Sequence, residues 1–98
     1  MYSRDKVNSL VLFAIRPPNQ VGHVAVAGDF NRWKPVPMDR QDNGQYVTNV
    51  RLKGGTFEYK FIVDGQWLTD PDNAHWAPNP YGTLNSLAPE HVDFARRM

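Results

Sequence analysis

Hydrophobic and polar residues alternate over several short stretches of this chain, and turn-forming residues separate those stretches. Alternation with a period of two is typical of β-strands that are buried on one side. The clearest case runs from Thr56 to Thr69, where Asp64-Gly65 divides two strand-like segments. That dipeptide accepts the positive φ values of a two-residue hairpin turn, so the pattern predicts a tight hairpin with Ile62 opposite Trp67.

The register of this hairpin sorts its side chains between two faces, because successive strand residues point to opposite sides. The predicted core face carries Phe57, Tyr59, Phe61, Val63 and Leu68. The predicted outer face carries Glu58, Lys60, Ile62 and Trp67. We therefore expect the Trp67 indole to lie on the solvent side of the sheet, diagonal to Lys60.

A second hairpin is predicted immediately before the first one. The strand-like segment from Tyr46 to Lys53 is followed by Gly54-Gly55, which suits another two-residue turn. In that register Asn49 lies opposite Lys60 on the outer face, close to Trp67. The two hairpins together predict a three-stranded antiparallel sheet.

The remaining segments complete an all-β pattern. Further strands are predicted at Asn8 to Arg16, His23 to Phe30 and Gly82 to Leu87, with a short irregular strand at Val36 to Met38. Met1 to Val7 is interpreted as a loose lead-in, and Asp70 to Pro80 as a long irregular loop. The fold class expected is an immunoglobulin-like antiparallel β-sandwich of six to eight short strands.

We expect a single domain over residues 1–98, with the β-sandwich at 8–88 and a tail or short helix over 89–98. The 11 basic and 10 acidic residues give a net charge of +1, which argues against a nucleic-acid or membrane partner. The chain has no cysteine and no long apolar run, so a cytoplasmic location is expected.

An aromatic side chain on the solvent face, beside a lysine and an asparagine, predicts a binding platform. Such a platform fits a ligand that has an apolar face and hydroxyl edges, and a sugar ring has both. The alternative is that Trp67 covers the sheet or packs under a loop or a partner, because single exposed apolar residues are common.

Catalysis is not expected of this chain. A glycosidase needs two carboxylates in one cleft, and the nearby set is Asp64, Asp70 and Asp72. Aspartate is a common turn former, and each of these residues lies in a predicted turn or loop. Asp70, Asp72 and His75 are also too weak a set to predict a metal site. We predict no catalytic residue, no metal and no cofactor.

Four ordered motifs resemble a known family. They are GDFNRW from Gly28 to Trp33, YKFIVDGQW from Tyr59 to Trp67, the DP dipeptide at Asp70, and GTLN from Gly82 to Asn85. They are similar to motifs of the family forty-eight carbohydrate-binding modules. That family includes the glycogen-binding domain of AMP-activated protein kinase beta subunits and relatives at the N-termini of isoamylases and branching enzymes.

The resemblance implies a module that binds α-1,4-linked glucan, such as glycogen, starch or maltooligosaccharide, without catalysis. The implied contact residues are Trp33, Lys60, Trp67, Tyr81, Thr83 and Asn85. Tyr81 departs from the leucine of the family pattern. Two further candidate contacts are Asn49 and Trp76, although Trp76 has the alternative role of anchoring its loop.

The sequence is therefore compatible with two functions. In the first, the module targets a glucan-active enzyme or a kinase subunit to the polymer. In the second, it is a non-binding β-sandwich that acts as a protein-interaction or scaffolding domain of an enzyme of glycogen or starch metabolism. A response of tryptophan fluorescence to maltoheptaose or β-cyclodextrin would separate them.

Overall fold

The computed structural model describes residues 1–52 and 54–89. These residues form ten strands in two antiparallel sheets, together with one 3-10 turn at Asp29–Asn31. The strands are β1 (Tyr2–Asp5), β2 (Leu10–Ile15), β3 (Val24–Gly28), β4 (Val36–Pro37), β5 (Asp39–Arg40), β6 (Tyr46–Arg51), β7 (Phe57–Val63), β8 (Gln66–Leu68), β9 (Trp76–Pro78) and β10 (Leu84–Ala88). The all-β sandwich is confirmed, with more strands than the six to eight expected.

The strand order is β1-β2-β6-β5 in the first sheet and β4-β3-β7-β10-β9 in the second, with β8 also paired to β7. In the described part of the chain, no helix is long and apolar enough to cross a membrane. The short helix predicted over 89–98 lies outside the described residues, except for Pro89.

An aromatic cluster joins the inner faces of the two sheets. Phe13 of the first sheet has its ring centroid 5.0 Å from that of Tyr59 and 6.4 Å from that of Phe61. These three side chains are fully buried. The buried core consists of Val11, Phe13, Ile15, Val24, Val26, Met38, Tyr46, Phe57, Tyr59, Phe61 and Ala88.

The hairpin at Asp64-Gly65 has the predicted register, with Ile62 opposite Trp67. Asp64 and Gly65 adopt φ values of 47° and 85°, as this turn requires. The carboxylate of Asp64 also accepts hydrogen bonds from the backbone N–H groups that precede β3. The prediction of Leu68 as a core residue is wrong: it is 38% exposed, because β8 is a short strand that pairs with β7 alone.

The second predicted hairpin is wrong. Strand β6 pairs with β2 and β5 in the first sheet, whereas β7 pairs with β3 in the second. Gly54 and Gly55 therefore link the two sheets. The alternating pattern specifies which face of a strand is buried, but both sheets bury one face, so the pattern does not distinguish their strands. Asn49 consequently lies opposite Leu12, on the outer face of the first sheet.

The predicted lead-in forms β1, which pairs with β2. Its Tyr2 ring packs edge-on against the rings of Phe57 and Tyr59, at centroid distances of 6.2 and 5.8 Å. Arg4 places its guanidinium 4.9 Å from the centre of the Phe57 ring. The strand has only four residues and alternates with charged side chains, so its pattern is too short to be recognised.

The segment predicted as a long loop, Asp70 to Pro80, contains β9 and is anchored by a buried polar network. The Tyr59 hydroxyl donates to Asp70 Oδ2 at 2.6 Å, and Asn73 Nδ2 donates to the Tyr59 oxygen at 3.1 Å. The backbone N–H of Asp70 donates to Ser86 Oγ at 2.6 Å. Burial raises the pKa of the Tyr59 hydroxyl above its ordinary value, which favours the protonated form that donates to Asp70.

Gly28 marks a close backbone approach at the end of β3. A Cβ atom at this position would lie 2.6 Å from the backbone oxygen of Glu58 and 2.5 Å from a ring carbon of Phe30. Because the Glu58 oxygen belongs to the central strand β7, it cannot move away without breaking the sheet. Glycine is therefore required for β3 and the following 3-10 turn to meet β7.

We predict that Gly28→Ala lowers the free energy of unfolding by about 2–3 kcal/mol, because the added methyl group overpacks the sheet. The matched control is Gly22→Ala, whose Cβ would meet only the Asp64 carboxylate, at 3.5 Å. Urea unfolding of the two variants measures the difference. Equal stability of both variants would contradict the close approach.

Candidate functional site

A groove of about 820 Å³ lies on the outer face of the second sheet. Its walls come from the 3-10 turn, from β7 and β8, and from the segment around the start of β10. The groove brings together six predicted site residues: Trp33, Lys60, Trp67, Tyr81, Thr83 and Asn85. These residues are separated by up to 52 positions in the sequence, and the sandwich fold assembles them on one surface.

Two indole rings form the apolar part of the groove. The ring centroids of Trp33 and Trp67 are 6.5 Å apart, and their planes are inclined by 37°. Trp67 is 48% exposed on β8, as its register predicts. Trp33 is half-buried, because it follows the 3-10 turn and packs beside Trp67.

Asp29 holds the first of these indoles in place. Its Oδ1 atom accepts a hydrogen bond from Trp33 Nε1 at 2.9 Å, and its Oδ2 atom accepts one from the backbone N–H of Glu58 at 2.8 Å. The carboxylate thus connects the indole to β7. The backbone N–H of Trp33 also donates to the Gly28 carbonyl at 2.9 Å.

Polar side chains line the groove beside the indoles. Lys60 Nζ donates to Thr83 Oγ1 at 3.1 Å. Asn79 Nδ2 donates to the same oxygen at 2.7 Å and to Asn85 Oδ1 at 3.0 Å. Asn85 Nδ2 in turn donates to Glu58 Oε1 at 2.9 Å. The groove therefore combines an aromatic platform with a chain of connected hydrogen-bonding groups.

Tyr81 forms the outer edge of the groove. Its side chain is 90% exposed, and it lies at the tip of the turn between β9 and β10. The backbone N–H of Tyr81 donates to Asn79 Oδ1 at 3.0 Å, which holds the base of the turn. A ring that is exposed and lines the groove is available to contact a ligand there.

Two candidate contacts lie elsewhere. Asn49 is exposed on the outer face of the first sheet, so its predicted pairing with Lys60 is wrong. That prediction depended on the Gly54-Gly55 hairpin, which joins different sheets. Trp76 lies on β9 opposite Ser86 and is 55% exposed, outside the residues that line the groove.

A family model matches most of the chain. The model for the glycogen recognition site of AMP-activated protein kinase matches residues 13–90. This chain belongs to that family. The match covers most of the β-sandwich and includes all six residues of the groove that the resemblance implied, so the predicted family is confirmed.

Individual relatives in this glycogen-recognition family match part of the chain. The 5'-AMP-activated protein kinase subunit beta-1 of Sus scrofa is 38% identical over 64 residues, which are 65% of this chain and 51% of that protein. The same subunit of Rattus norvegicus is covered over 23% of its length. Protein PTST homolog 2, chloroplastic, of Arabidopsis thaliana is 40% identical over 55 residues, which are 55% of this chain and 10% of that protein.

Solved structures share the fold. The maltogenic amylase from S. marinus superposes with a TM-score of 0.73 at 19% sequence identity, over 96% of this chain and 16% of that chain. This similarity shows the β-sandwich fold alone. The chain therefore corresponds in length to a small part of a larger amylase and to about half or less of the kinase subunits.

Members of this family are non-catalytic binding modules, and two of the three aspartates considered for catalysis have structural positions here. Asp64 holds the hairpin turn, and Asp70 is buried against Tyr59. Within residues 1–52 and 54–89, no group of three His, Cys, Asp or Glu side chains could hold a metal ion.

Three polar residues that line the groove were not predicted from the sequence: Asp29, Glu58 and Asn79. Asp29 lies inside the GDFNRW motif, and Glu58 was assigned to the same outer face as Lys60 and Trp67. The sequence therefore held an indication that both residues lie near the site. Asn79 precedes a proline in a segment that lacks periodicity, where its turn-forming role is the only sequence signal.

We predict that Asp29→Ala lowers the free energy of unfolding by about 1–3 kcal/mol, since it leaves the Trp33 and Glu58 N–H groups without their charged acceptor. The fluorescence of Trp33 should also shift, because the indole loses its fixed position. Asp39→Ala, on an exposed edge strand, is the matched control and should change stability by less than about 0.5 kcal/mol. Denaturant unfolding followed by tryptophan emission measures both effects.

Proposed function

We propose that this chain binds α-1,4-linked glucan in the groove, by stacking glucose rings on Trp33 and Trp67 and hydrogen-bonding their hydroxyls. The observation that carries this proposal is the pair of inclined indoles beside Lys60 and Thr83. Membership of the glycogen-recognition family supports the choice of ligand class. In this proposal the contacts are Trp33, Lys60, Trp67, Tyr81, Thr83 and Asn85.

The inclination of the indoles suits a curved polymer. The planes of successive rings in an α-1,4 glucan are inclined to one another, whereas the ring planes of a flat β-1,4 glucan stay nearly parallel. Two platforms inclined by 37° can therefore each contact one ring of a coiled chain. Stacking of an indole on the C–H face of a sugar is expected to contribute on the scale of aromatic pairs, roughly 0.5–1.5 kcal/mol beyond area burial.

The polar groups complement the stacking. The ammonium group of Lys60 retains donors that are not used in its bond to Thr83, since it carries three N–H groups. Sugars lose favourable hydration on binding, and the groove is open to solvent. We therefore expect a dissociation constant of order 10 μM to 1 mM, or about −7 to −4 kcal/mol.

Such an affinity becomes useful when the module is tethered. A polymer offers many binding positions, and a linked or associated protein raises the effective concentration of the second contact. We propose that the partner is a glucan-active enzyme or a kinase subunit, in a cytoplasmic setting. The kinase beta-1 subunits among the relatives support this choice.

A protein-interaction role is the second candidate. Leu68 and Leu84 are exposed by 38% and 44%, and they line a second groove that also includes Trp67. Exposed apolar residues around a groove are typical of interfaces. An interaction domain would show a saturable protein partner and no response to sugar.

We predict that Trp67→Ala and Trp33→Ala each weaken binding of maltoheptaose at least tenfold, because each removes one stacking platform. Trp76→Ala is the matched control, since this exposed tryptophan lies outside the groove, and its affinity should stay within twofold of wild type. Isothermal titration calorimetry measures all three variants. Equal weakening in all three, or no binding by the wild-type chain, would refute the proposed site.

A second test addresses the ammonium group. We predict that Lys60→Met weakens maltoheptaose binding about tenfold, because methionine keeps an apolar stem but cannot donate a hydrogen bond. Lys6→Met, at an exposed turn between β1 and β2, removes the same charge and should leave the affinity unchanged. If both variants bind like wild type, Lys60 does not contact the sugar.

A further inference from the structure

We propose that Asn79 is a positioning residue of the groove, whose side-chain amide makes Thr83 a hydrogen-bond donor to the glucan and fixes the orientation of Asn85. This inference rests on the proposed function and deepens it. Asn79 lies at the base of the turn that carries Tyr81. It lines the groove beside these residues.

The amide of Asn79 uses its full hydrogen-bonding capacity. Its Oδ1 atom accepts from the backbone N–H groups of Tyr81 and Thr83, at 3.0 and 3.2 Å. Its Nδ2 atom donates to Thr83 Oγ1 and Asn85 Oδ1, at 2.7 and 3.0 Å. Backbone N–H groups can only donate, so the oxygen of this amide must face them. The position of the NH₂ group follows from that constraint.

The hydroxyl of Thr83 is polarised by this arrangement. Its oxygen accepts from Asn79 Nδ2 at 2.7 Å and from Lys60 Nζ at 3.1 Å, which occupies both lone pairs. Neither the amide NH₂ nor the ammonium group can accept a hydrogen bond. The hydroxyl hydrogen must therefore point away from both, and Thr83 is exposed on the wall of the groove. Thr83 is thus a donor for a ligand oxygen.

Asn85 is oriented through the same amide. It is only 7% exposed, its Oδ1 atom accepts from Asn79, and its Nδ2 atom donates to Glu58 Oε1 at 2.9 Å. A flip of the Asn85 amide would place its NH₂ group against the NH₂ group of Asn79 and its oxygen against the carboxylate of Glu58. Neither contact could form a hydrogen bond. Asn79 and Glu58 together therefore fix which end of Asn85 is the donor.

This polarity restricts the ligand. Lys60 and Thr83 both present donors to the same part of the groove, so the ligand must supply an oxygen that accepts. A glucose hydroxyl, a ring oxygen or a glycosidic oxygen meets this requirement. A deoxygenated carbon or an ammonium substituent does not, and a site with unpaired donors discriminates against such analogues.

The test uses Asn79→Asp, which preserves the shape of the side chain. One carboxylate oxygen still accepts from the Tyr81 and Thr83 N–H groups, but the donating nitrogen becomes a second acceptor. The Thr83 hydroxyl should then donate to this carboxylate instead of to the ligand. We expect the dissociation constant for maltoheptaose to rise about tenfold, as in Thr83→Val, when measured by isothermal titration calorimetry.

The double variant distinguishes positioning from an independent contact. The loss of affinity when Asn79→Asp is combined with Thr83→Val should be smaller than the product of the two separate losses, because both changes remove the Thr83 donor and only the part that acts through Asn85 is added. Asn49→Asp is the matched control for the added charge, since Asn49 is exposed on the other sheet. Its affinity should stay within twofold of wild type.

A measurement without ligand separates this inference from the proposed function. Nitrogen-proton correlation spectra of the labelled chain report the side-chain amides, and the Asn85 resonances should shift in Asn79→Asp but not in Asn49→Asp. A wild-type chain that binds no maltoheptaose would refute the proposed function. The spectra would still show whether Asn79 orients the Asn85 amide.

Four outcomes would overturn the role of Asn79. They are wild-type affinity in Asn79→Asp, unshifted Asn85 resonances, independent losses that multiply in the double variant, and a fall in melting temperature large enough to unfold the turn. The last outcome would assign Asn79 to loop stability alone.

Discussion

Strand β7 is the constraint on which both the core and the groove depend. Its alternating side chains place Tyr59 and Phe61 in the aromatic core and direct Lys60 to the opposite face. A shift by one residue would exchange these two sets. Its neighbours β3, β8 and β10 then bring the two indoles and Thr83 to the same surface. The position of the groove residues is therefore fixed by the packing of the core.

The parts of the fold that depend on local chemistry could be predicted. Asp64-Gly65 favours a two-residue turn with positive φ values, so the register of Trp67 against Ile62 followed from two residues. The pairing of β6 could not be predicted, because Gly54-Gly55 allows either a hairpin or a change of sheet. Long-range pairing depends on the shape of the whole core, which the alternation of a single strand does not contain.

The residues of the candidate site also divide into those that local chemistry predicts and those that depend on long-range pairing. Lys60 and Trp67 were placed together by the hairpin geometry, and the motif resemblance added Trp33 and Thr83. Asn79 was missed because its importance comes from contacts with residues on either side of a turn that has no periodic pattern. Asn49 was wrongly included because its place depended on the hairpin that does not form. The roles of the six groove residues, the domain limits and the cytoplasmic location stay predictions.

The groove is assembled from three separate parts of the chain, around residues 29–33, 58–67 and 78–85. An unfolded chain would hold these parts far apart and could not present the surface. Any glucan that occupies the groove must therefore favour the native state by mass action, by about 2.7 kcal/mol when its free concentration is a hundred times the dissociation constant. On the surface of a polysaccharide particle, the carbohydrate would act as a folding ligand that protects this small domain from denaturation.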